Sequence, residues 1–320
     1  MVFRVIALVL ALLSAQLAWG QTWPAKPVRL VVPYPPGGSV DTYARLIGQR
    51  LAERLGQPVV VDNRAGAAGS IGSEFVAKSA PDGYTLVWGT VSSHAINMTL
   101  YTKLRYDNLK DFAPITQLME QPLMVVVPLN SKINSMAELG QVLQSRSIRL
   151  NVGTAGVGTT GHMTTELIKK RTGGDITHVG YRGSNPMLTE LMGGHIDVGI
   201  DNLPSALALV KAGKLKALAV TSLKRSPLAP DIPTLDEVIP GLQAIAWQGL
   251  FAPAGTPDAV LERLEREVTS ILRQPDVVAV LAQGGTTPVG SARADFAAFV
   301  KAETIRWAEI VRLAGARADD

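Results

Sequence analysis

Two short segments have the composition of anion cradles. The first is Pro33-Tyr34-Pro35-Pro36-Gly37-Gly38-Ser39-Val40-Asp41. The second is Gly153-Thr154-Ala155-Gly156-Val157-Gly158-Thr159-Thr160-Gly161-His162. Each follows a β-branched run and precedes a helical pattern. Glycine lets the backbone approach a ligand closely. The free N–H groups of the following helix then point at it, with the positive end of the helix dipole behind them. That dipole contributes only about 0.3–1 kcal/mol, so hydrogen bonds must carry most of the affinity. Ser39, Thr154, Thr159 and Thr160 place hydroxyls there, and the pattern predicts a small anion held by both loops. The competing reading is a pair of ordinary tight turns. Asp41, in a first helical turn, complements the dipole and is placed to hold its loop in shape. Two more polar clusters, Tyr181-Arg182-Gly183-Ser184-Asn185-Pro186 and Asp197-Val198-Gly199-Ile200-Asp201-Asn202, fall where parallel-sheet proteins place ligands, at strand carboxyl ends.

Other chemistries are poorly served. Gly156-x-Gly158-x-x-Gly161 matches a dinucleotide fingerprint, which wants an acid at the end of the next strand. Asp175 instead precedes the strand Ile176 to Val179, which runs out into Gly180-Tyr181-Arg182. There is no Gly-x-Ser-x-Gly elbow and no His-Glu-x-x-His pair. His94, His162, His178 and His195 lack metal-ligand spacing, and Ser93 beside His94 is read as no dyad because adjacent side chains diverge. Cysteine is absent, which removes disulfides, thiolate metal sites and cysteine nucleophiles. No cofactor, no metal and no catalytic residue are expected.

The elements that must position these loops follow from the rest of the chain. Its 320 residues are 47% apolar and 18% charged, which excludes a disordered chain. A formal charge of +4, with no basic concentration beyond Lys169-Lys170-Arg171, excludes a nucleic-acid footprint. Residues 1–20 read as an export signal, with Arg4, an apolar run Val5 to Leu13, and small residues before a cleavage site after Gly20. Nine apolar residues cannot cross a bilayer core of about 30 Å. The expected product is a periplasmic protein.

Strands are predicted at Val28 to Val32, Val59 to Val61, Tyr84 to Trp88, Met124 to Val127, Ile148 to Val152, Ile176 to Val179, Ile196 to Ile200, Leu215 to Val220 and Ala246 to Phe251. Helices intervene, one capped by Ser39, one opened by Thr256-Pro257 as N-cap and first residue, and a long C-terminal one carrying Phe296, Phe299, Val300, Trp307 and Ile310 on its core face. Strand–helix alternation implies an α/β fold with parallel sheets covered by helices on both faces. Boundaries near Gln117 to Pro122 and near Gln243 to Ala246 divide the mature chain into two α/β lobes, 21–120 with 246–320 and 121–245, with the cleft between them.

The motifs in order resemble the Bug family, the substrate-binding receptors of tripartite tricarboxylate transporters. The likeness begins at Pro35-Pro36-Gly37-Gly38-Ser39-Val40-Asp41 with Ala44-Arg45. It continues through Val61-Asp62-Asn63-Arg64, the Gly66 to Gly72 run, Ala80-Pro81-Asp82-Gly83-Tyr84-Thr85-Leu86 and Ser93-His94-Ala95-Ile96-Asn97. Asp111-Phe112-Ala113-Pro114, Gly180-Tyr181-Arg182-Gly183, Gly193-Gly194-His195-Ile196-Asp197, Ala217 to Thr221, Pro233-Thr234 and Ala252 to Pro257 complete it. The resemblance covers nearly the whole mature chain.

It implies a type II periplasmic-binding-protein fold whose lobes cross twice at a hinge and close on a small carboxylate. Carried over by position, Tyr34, Gly38, Ser39 and Asp41 form one jaw. Thr154, Gly156, Gly158, Thr159 and Thr160 form the other. Ser92, Ser93 and Asn97 lie near the floor, and Tyr181, Gly183 and Asp201 complete the wall. Met98, Arg182 and Thr159-Thr160-Gly161 depart from the family's usual residues, which leaves the acid open. The implied partners are a transporter's membrane subunits or, alternatively, a sensor kinase, with the receptor a monomer. A two-lobed enzyme is the remaining alternative. Porphobilinogen deaminase-like enzymes share such lobes but need a cysteine that this chain lacks.

Overall fold

The computed structural model describes residues 23–145 and 148–318; the predicted export signal lies outside them. The first strand, β1 (Val28–Val32), is buried on both faces and leads through the first glycine loop into α1 (Ser39–Leu55). β2 (Val59–Asn63), α2 (Ser70–Ala77) and β3 (Thr85–Thr90) follow. A π-helical turn, Ser92–Ile96, and the short α3 (Asn97–Leu100) lead to the long β4 (Phe112–Pro128). Then come α4 (Met136–Ser145), β5 (Leu150–Thr154), α5 (Thr160–Thr172), β6 (Ile176–Gly180), α6 (Ser184–Met192), β7 (Val198–Asn202), α7 (Leu203–Lys211) and β8 (Leu215–Val220). The chain returns along β9 (Ile245–Pro253) and ends with α8 (Asp258–Leu272), α9 (Pro275–Gln283), β10 (Thr287–Pro288) and α10 (Arg293–Ala314).

The strands form one curled sheet in the order β2-β1-β3-β9-β4-β7-β5-β6, with β8 and β10 also paired to β4. Pairing is parallel where helices connect neighbours: β2-β1-β3 in one half and β6-β5-β7 in the other. It is antiparallel wherever β4 or β9 takes part, so the sheet is mixed rather than purely parallel. The reason is topological. β4 runs from the first half into the second and β9 runs back, so each lies antiparallel to its neighbours. β4 pairs with β9 over Phe112 to Pro122, and from Leu123 onward with β7 and β8. Sequence alone predicted only Met124 to Val127 of these seventeen residues. Pro114 and Pro122 disguise the rest, because proline removes a ladder donor. Register shifts between Pro114 and Thr116 and between Gln117 and Met119 show how the strand absorbs the irregularity.

The fold is the α/β arrangement expected, and one buried cluster runs through both halves, from Val31, Val87 and Phe296 to Val125, Val152 and Met163, with smaller cores beside it. One packs α1 and α8 on β1, β3 and β9 around Trp88, Leu30 and Leu250. Another packs α6 and α7 on β4 around Met124, Met187 and Leu203. The C-terminal helix α10 runs along the π-helical turn, α3 and α5. Buried Glu303 on α10 accepts from the indole N–H groups of Trp247 and Trp307, both at 2.9 Å, which fixes the helix to the start of β9. Both predicted caps shift by one residue. Gly38 is the N-cap of α1 and Ser39 its first helical residue, while α8 begins at Asp258, after Pro257. Thr256 donates instead to the carbonyl of Pro253 at 2.8 Å.

Candidate functional site

The two glycine loops face each other across a cavity of about 110 Å³. Pockets for drug-sized ligands run to several hundred Å³, so this chamber suits a small molecule. Its wall includes Tyr34, Gly38, Ser39, Ser92, Thr159, Thr160, Gly183 and Asp201. A second, more open chamber of about 710 Å³ adjoins it across Tyr34, Pro35, Thr159 and Arg182, and Gly156 and Tyr181 line that one. Asp41, Ser93, Asn97, Thr154 and Gly158 are on neither wall. Gly158 instead abuts the opposite half.

Each jaw is built by its own loop. In the first, Gly37 sits at φ +85° and Gly38 is extended. No side chain caps the start of α1, so the helix's leading N–H groups stay open toward the cavity. Asp41 is 4% exposed and turns away from the cavity: Gly37 N–H donates to its Oδ2 at 3.0 Å, Asn63 Nδ2 to its Oδ1 at 2.9 Å, and Arg45 Nε to Oδ2 at 3.0 Å. Burial works against its negative charge, but the Arg45 bonds, the Gly37 N–H and Asn63 outweigh it and hold the carboxyl below its usual range. Tyr34 Oη lies 2.7 Å from Thr90 Oγ1 and donates to the carbonyl of Ala68, tying the loop to the Ala67–Gly69 turn.

In the second jaw Thr159 is the N-cap of α5, accepting from His162 N–H at 3.3 Å while its own hydroxyl donates to Gly156 O at 2.7 Å. Gly156 and Gly158 have φ of +142° and +85°. Gly158 N–H donates to His162 Nδ1 at 3.1 Å, and Thr154 Oγ1 lies 2.7 Å from His178 Nε2. The two imidazoles stack at 4.1 Å. Burial pushes His162 down to about 4 and, with the His162 charge a smaller contribution, His178 to about 3.

The fully buried His94 is likewise driven down to about 3 by desolvation. Histidines kept neutral in the folded state but charged near 6.5 when unfolded bind fewer protons folded. Their contribution is therefore whole above pH 6.5 and drains away as pH falls toward 4. Each is expected to remove about 1.4 kcal/mol per pH unit in that window. Urea midpoints measured from pH 7 to 4 check this, and a flat profile would contradict it.

The halves meet at the loops. Asn202 Nδ2 donates to Ser39 Oγ at 3.4 Å. A Cβ on Gly37 would lie 3.0 Å from Asn185 Nδ2, and one on Gly183 3.2 Å from Pro35 Cγ. A Cβ on Gly158 would come within 2.9 Å of Ala68 Cβ and 3.0 Å of Asn97 Oδ1. Asn97 itself is fully buried and holds the Ala67–Gly69 turn through Nδ2, which donates to the carbonyl of Ala68 at 3.2 Å and to Ser70 Oγ at 2.9 Å.

The adjacent Ser93 and His94 do not diverge: Ser93 Oγ lies 2.9 Å from His94 Nδ1. The wide π-helical turn brings them together. Both are fully buried, and His94 stacks on Phe251 at 4.0 Å, so the pair is core packing away from the cavity. The site reading missed Thr90, Leu123, Trp247 and Gln248 on the cavity wall, and it named Ser184 and Asn202 only as members of the two polar clusters at strand ends. Gln248 carried a signal, as the only polar side chain in Ile245-Ala246-Trp247-Gln248-Gly249-Leu250-Phe251. Among the described residues no cluster of His, Asp or Glu is placed to hold a metal, and no helix is long and apolar enough to cross a membrane.

The model of the tripartite tricarboxylate transporter family receptor matches residues 43–315. The chain belongs to this receptor family. Solved structures agree. Rpa4515 of R. palustris, determined with adipate, is 38% identical and superposes with a TM-score of 0.89 over 92% of this chain and 100% of that one. The periplasmic binding protein BugD is 30% identical, with a TM-score of 0.87 over 92% and 99%. MatC of Rhodopseudomonas palustris, with bound malate, is 35% identical, with a TM-score of 0.85 over 90% and 100%. The resemblance to Bug receptors read from the motifs therefore holds for the whole described chain. As a member of the family, the protein is a solute-binding receptor.

Proposed function

We propose that the protein captures a small carboxylate in the periplasm and hands it to the membrane subunits of a tripartite tricarboxylate-type transporter. The observation that carries this is the cavity closed between two helix starts, α1 and α5, whose walls present Ser39, Thr159 and Thr160. Backbone N–H groups and hydroxyls converging from two sides stabilise an anion without a paired cation. The adipate and malate held by the two relatives fit the same chemistry.

In this reading residues 1–20 are the export signal, and residues 21–120 with 246–320 form one lobe against 121–245. The crossings at β4 and at the start of β9 act as the hinge. Tyr34, Gly38, Ser39, Ser92, Thr159, Thr160, Gly183 and Asp201 touch the ligand. Asp41, Ser93, Asn97, Thr154 and Gly158 shape the loops behind them, and Gly156 and Tyr181 line the approach. No reaction is needed, since binding and closure are the whole activity.

A thermal-shift screen of residues 21–320 against a carboxylate panel, after refolding to strip carried ligand, tests it. A ligand at 100 times its dissociation constant adds about 2.7 kcal/mol of stability. No shift with any acid, together with a shift for a nucleotide or an uncharged solute, would sink the reading. Ser39→Ala removes one hydroxyl from the wall and is expected to weaken binding about 5- to 10-fold, the worth of one hydrogen bond, with the melting temperature of the ligand-free protein unchanged. Equal affinities by calorimetry would take Ser39 out of the site.

A further inference from the structure

Among the described residues, two side chains on the cavity wall carry a fully buried polar atom with no hydrogen-bond partner: Asp201 Oδ2 and Gln248 Nε2. Buried polar groups are nearly always paired, so an unpaired one on the wall of a binding cavity marks what the ligand must supply. The two atoms ask for opposite things. Trp88 Nε1, which can only donate, fixes Gln248 Oε1 at 2.6 Å and leaves the Nε2 group as a free donor. A carboxylate oxygen satisfies it. Asp201 is the penultimate residue of β7, with Ser184 Oγ donating to its Oδ1 at 2.8 Å, and its Oδ2 is left as a free acceptor.

A carboxylate cannot satisfy an acceptor, and a second negative charge beside Asp201 is repelled in a desolvated chamber. Among the described residues the one other charged side chain on the cavity wall, Arg182, is exposed. Burial moves the Asp201 carboxyl up to about 6, against the Ser184 bond and the nearby backbone N–H of Asn202, which leaves it mostly ionised at neutral pH. The bond from Ser184 alone does not call for an acid here, since an asparagine oxygen would accept it equally well.

Resting on the carboxylate-receptor reading, we propose that Asp201 determines specificity: the acid this receptor takes carries a hydrogen-bond donor, a hydroxyl or an ammonium, that bonds to Asp201 Oδ2. The substrate class is thereby narrowed from carboxylates at large to hydroxy- or amino-substituted ones. Unsubstituted acids leave the buried oxygen unpaired and are discriminated against, as sites built around a ligand hydroxyl do with analogues that lack it.

The test is calorimetry at pH 7.5 with matched sets: succinate, malate, aspartate and 2-fluorosuccinate; glutarate, 2-hydroxyglutarate and glutamate; phenylacetate, mandelate and phenylglycine. In at least one set the hydroxy or amino acid is expected to bind at least about tenfold tighter than its parent, and comparison of those two members identifies the donor. In the four-carbon set, if that is the one bound, 2-fluorosuccinate should behave like succinate, because fluorine matches a hydroxyl in size but cannot donate.

Asp201→Asn turns the free acceptor into a donor and should shrink the preference below about threefold. Parent acids binding as tightly as substituted ones, or a preference that survives in Asp201→Asn, would overturn the assignment. Should Asp201→Asn not fold, the wild-type comparisons between parent and substituted acids decide alone. If no member of any set binds wild-type protein, the carboxylate reading itself fails and the assignment falls with it. Tight binding of unsubstituted acids overturns only the role of Asp201.

Discussion

Gly158→Val is expected to cost about 100-fold in ligand affinity while the protein still folds. Two effects add. Gly158 has φ +85°, a region where an L side chain costs roughly 1–2 kcal/mol and a β-branched one more. A Cβ there would also press to 2.9 Å of Ala68 Cβ and 3.0 Å of Asn97 Oδ1 and Leu100 Cδ2, all across the cleft in the other half. The neighbours cannot yield cheaply. Ala68 is in the turn that Asn97 and Tyr34 hold by hydrogen bonds, and Asn97 and Leu100 are fully buried. An open form escapes the steric penalty because Gly158 then has no partner surface, so the cost falls on closure and hence on binding. A loss of about 2.7 kcal/mol corresponds to 100-fold. Calorimetry with the best ligand from the carboxylate panel measures it, and circular dichroism confirms the fold. Gly158→Ala, with a smaller side chain, should lose less than Val. Unchanged affinity in Gly158→Val would mean that the halves do not approach at this loop when ligand binds.

The sequence told where the loops were and less about how they work. Proline and glycine punctuate both loops, and helical periodicity resumes immediately after each, so their position was readable from local chemistry. Which face of a loop meets the cavity is decided by tertiary contacts. Thr154 looked like a ligand hydroxyl, but the neighbouring β6 brings His178 to 2.7 Å of it. Gly158 looked like a place for a ligand, but it is a place for the opposite loop. Gln248 was hidden for the converse reason. A single glutamine inside an apolar strand reads as core until the neighbouring strand β3 sets Trp88 against its oxygen and leaves its nitrogen free. β4 was underread because its prolines are tolerated at register shifts that only pairing with β9 reveals.

Asp41→Ala is expected to destabilise the fold by about 1–2 kcal/mol and also to weaken binding, although Asp41 does not line the cavity. Its carboxylate is almost wholly buried and gathers three elements: Gly37 N–H from the glycine loop, Asn63 Nδ2 from the end of β2, and Arg45 one turn along α1. Alanine removes the acceptor from Gly37 N–H, which is exposed and can turn to water, and from Asn63 Nδ2, which is half-buried and keeps the carbonyl of Tyr34 at 3.1 Å, so the loss is that of ordinary hydrogen bonds, about 0.5–1.5 kcal/mol each. Arg45 is half exposed and recovers water, so its loss adds little. The affinity effect follows from geometry, since the Gly37 bond holds the turn that aims the N–H groups at the head of α1. Loosening that turn by a fraction of an ångström should cost about tenfold in binding. The two effects separate in the test: urea midpoints of the ligand-free protein read the first, calorimetry the second. The pH dependence gives the same carboxylate a signature of its own. Its folded pKa lies below the unfolded value of about 3.9, so the stability it contributes is whole above that value and disappears as pH falls through the lower folded one. Wild-type protein should therefore lose more stability below pH 4 than Asp41→Ala does, and the two curves should converge in acid. Parallel curves would mean that the ionised carboxylate is not what holds the loop.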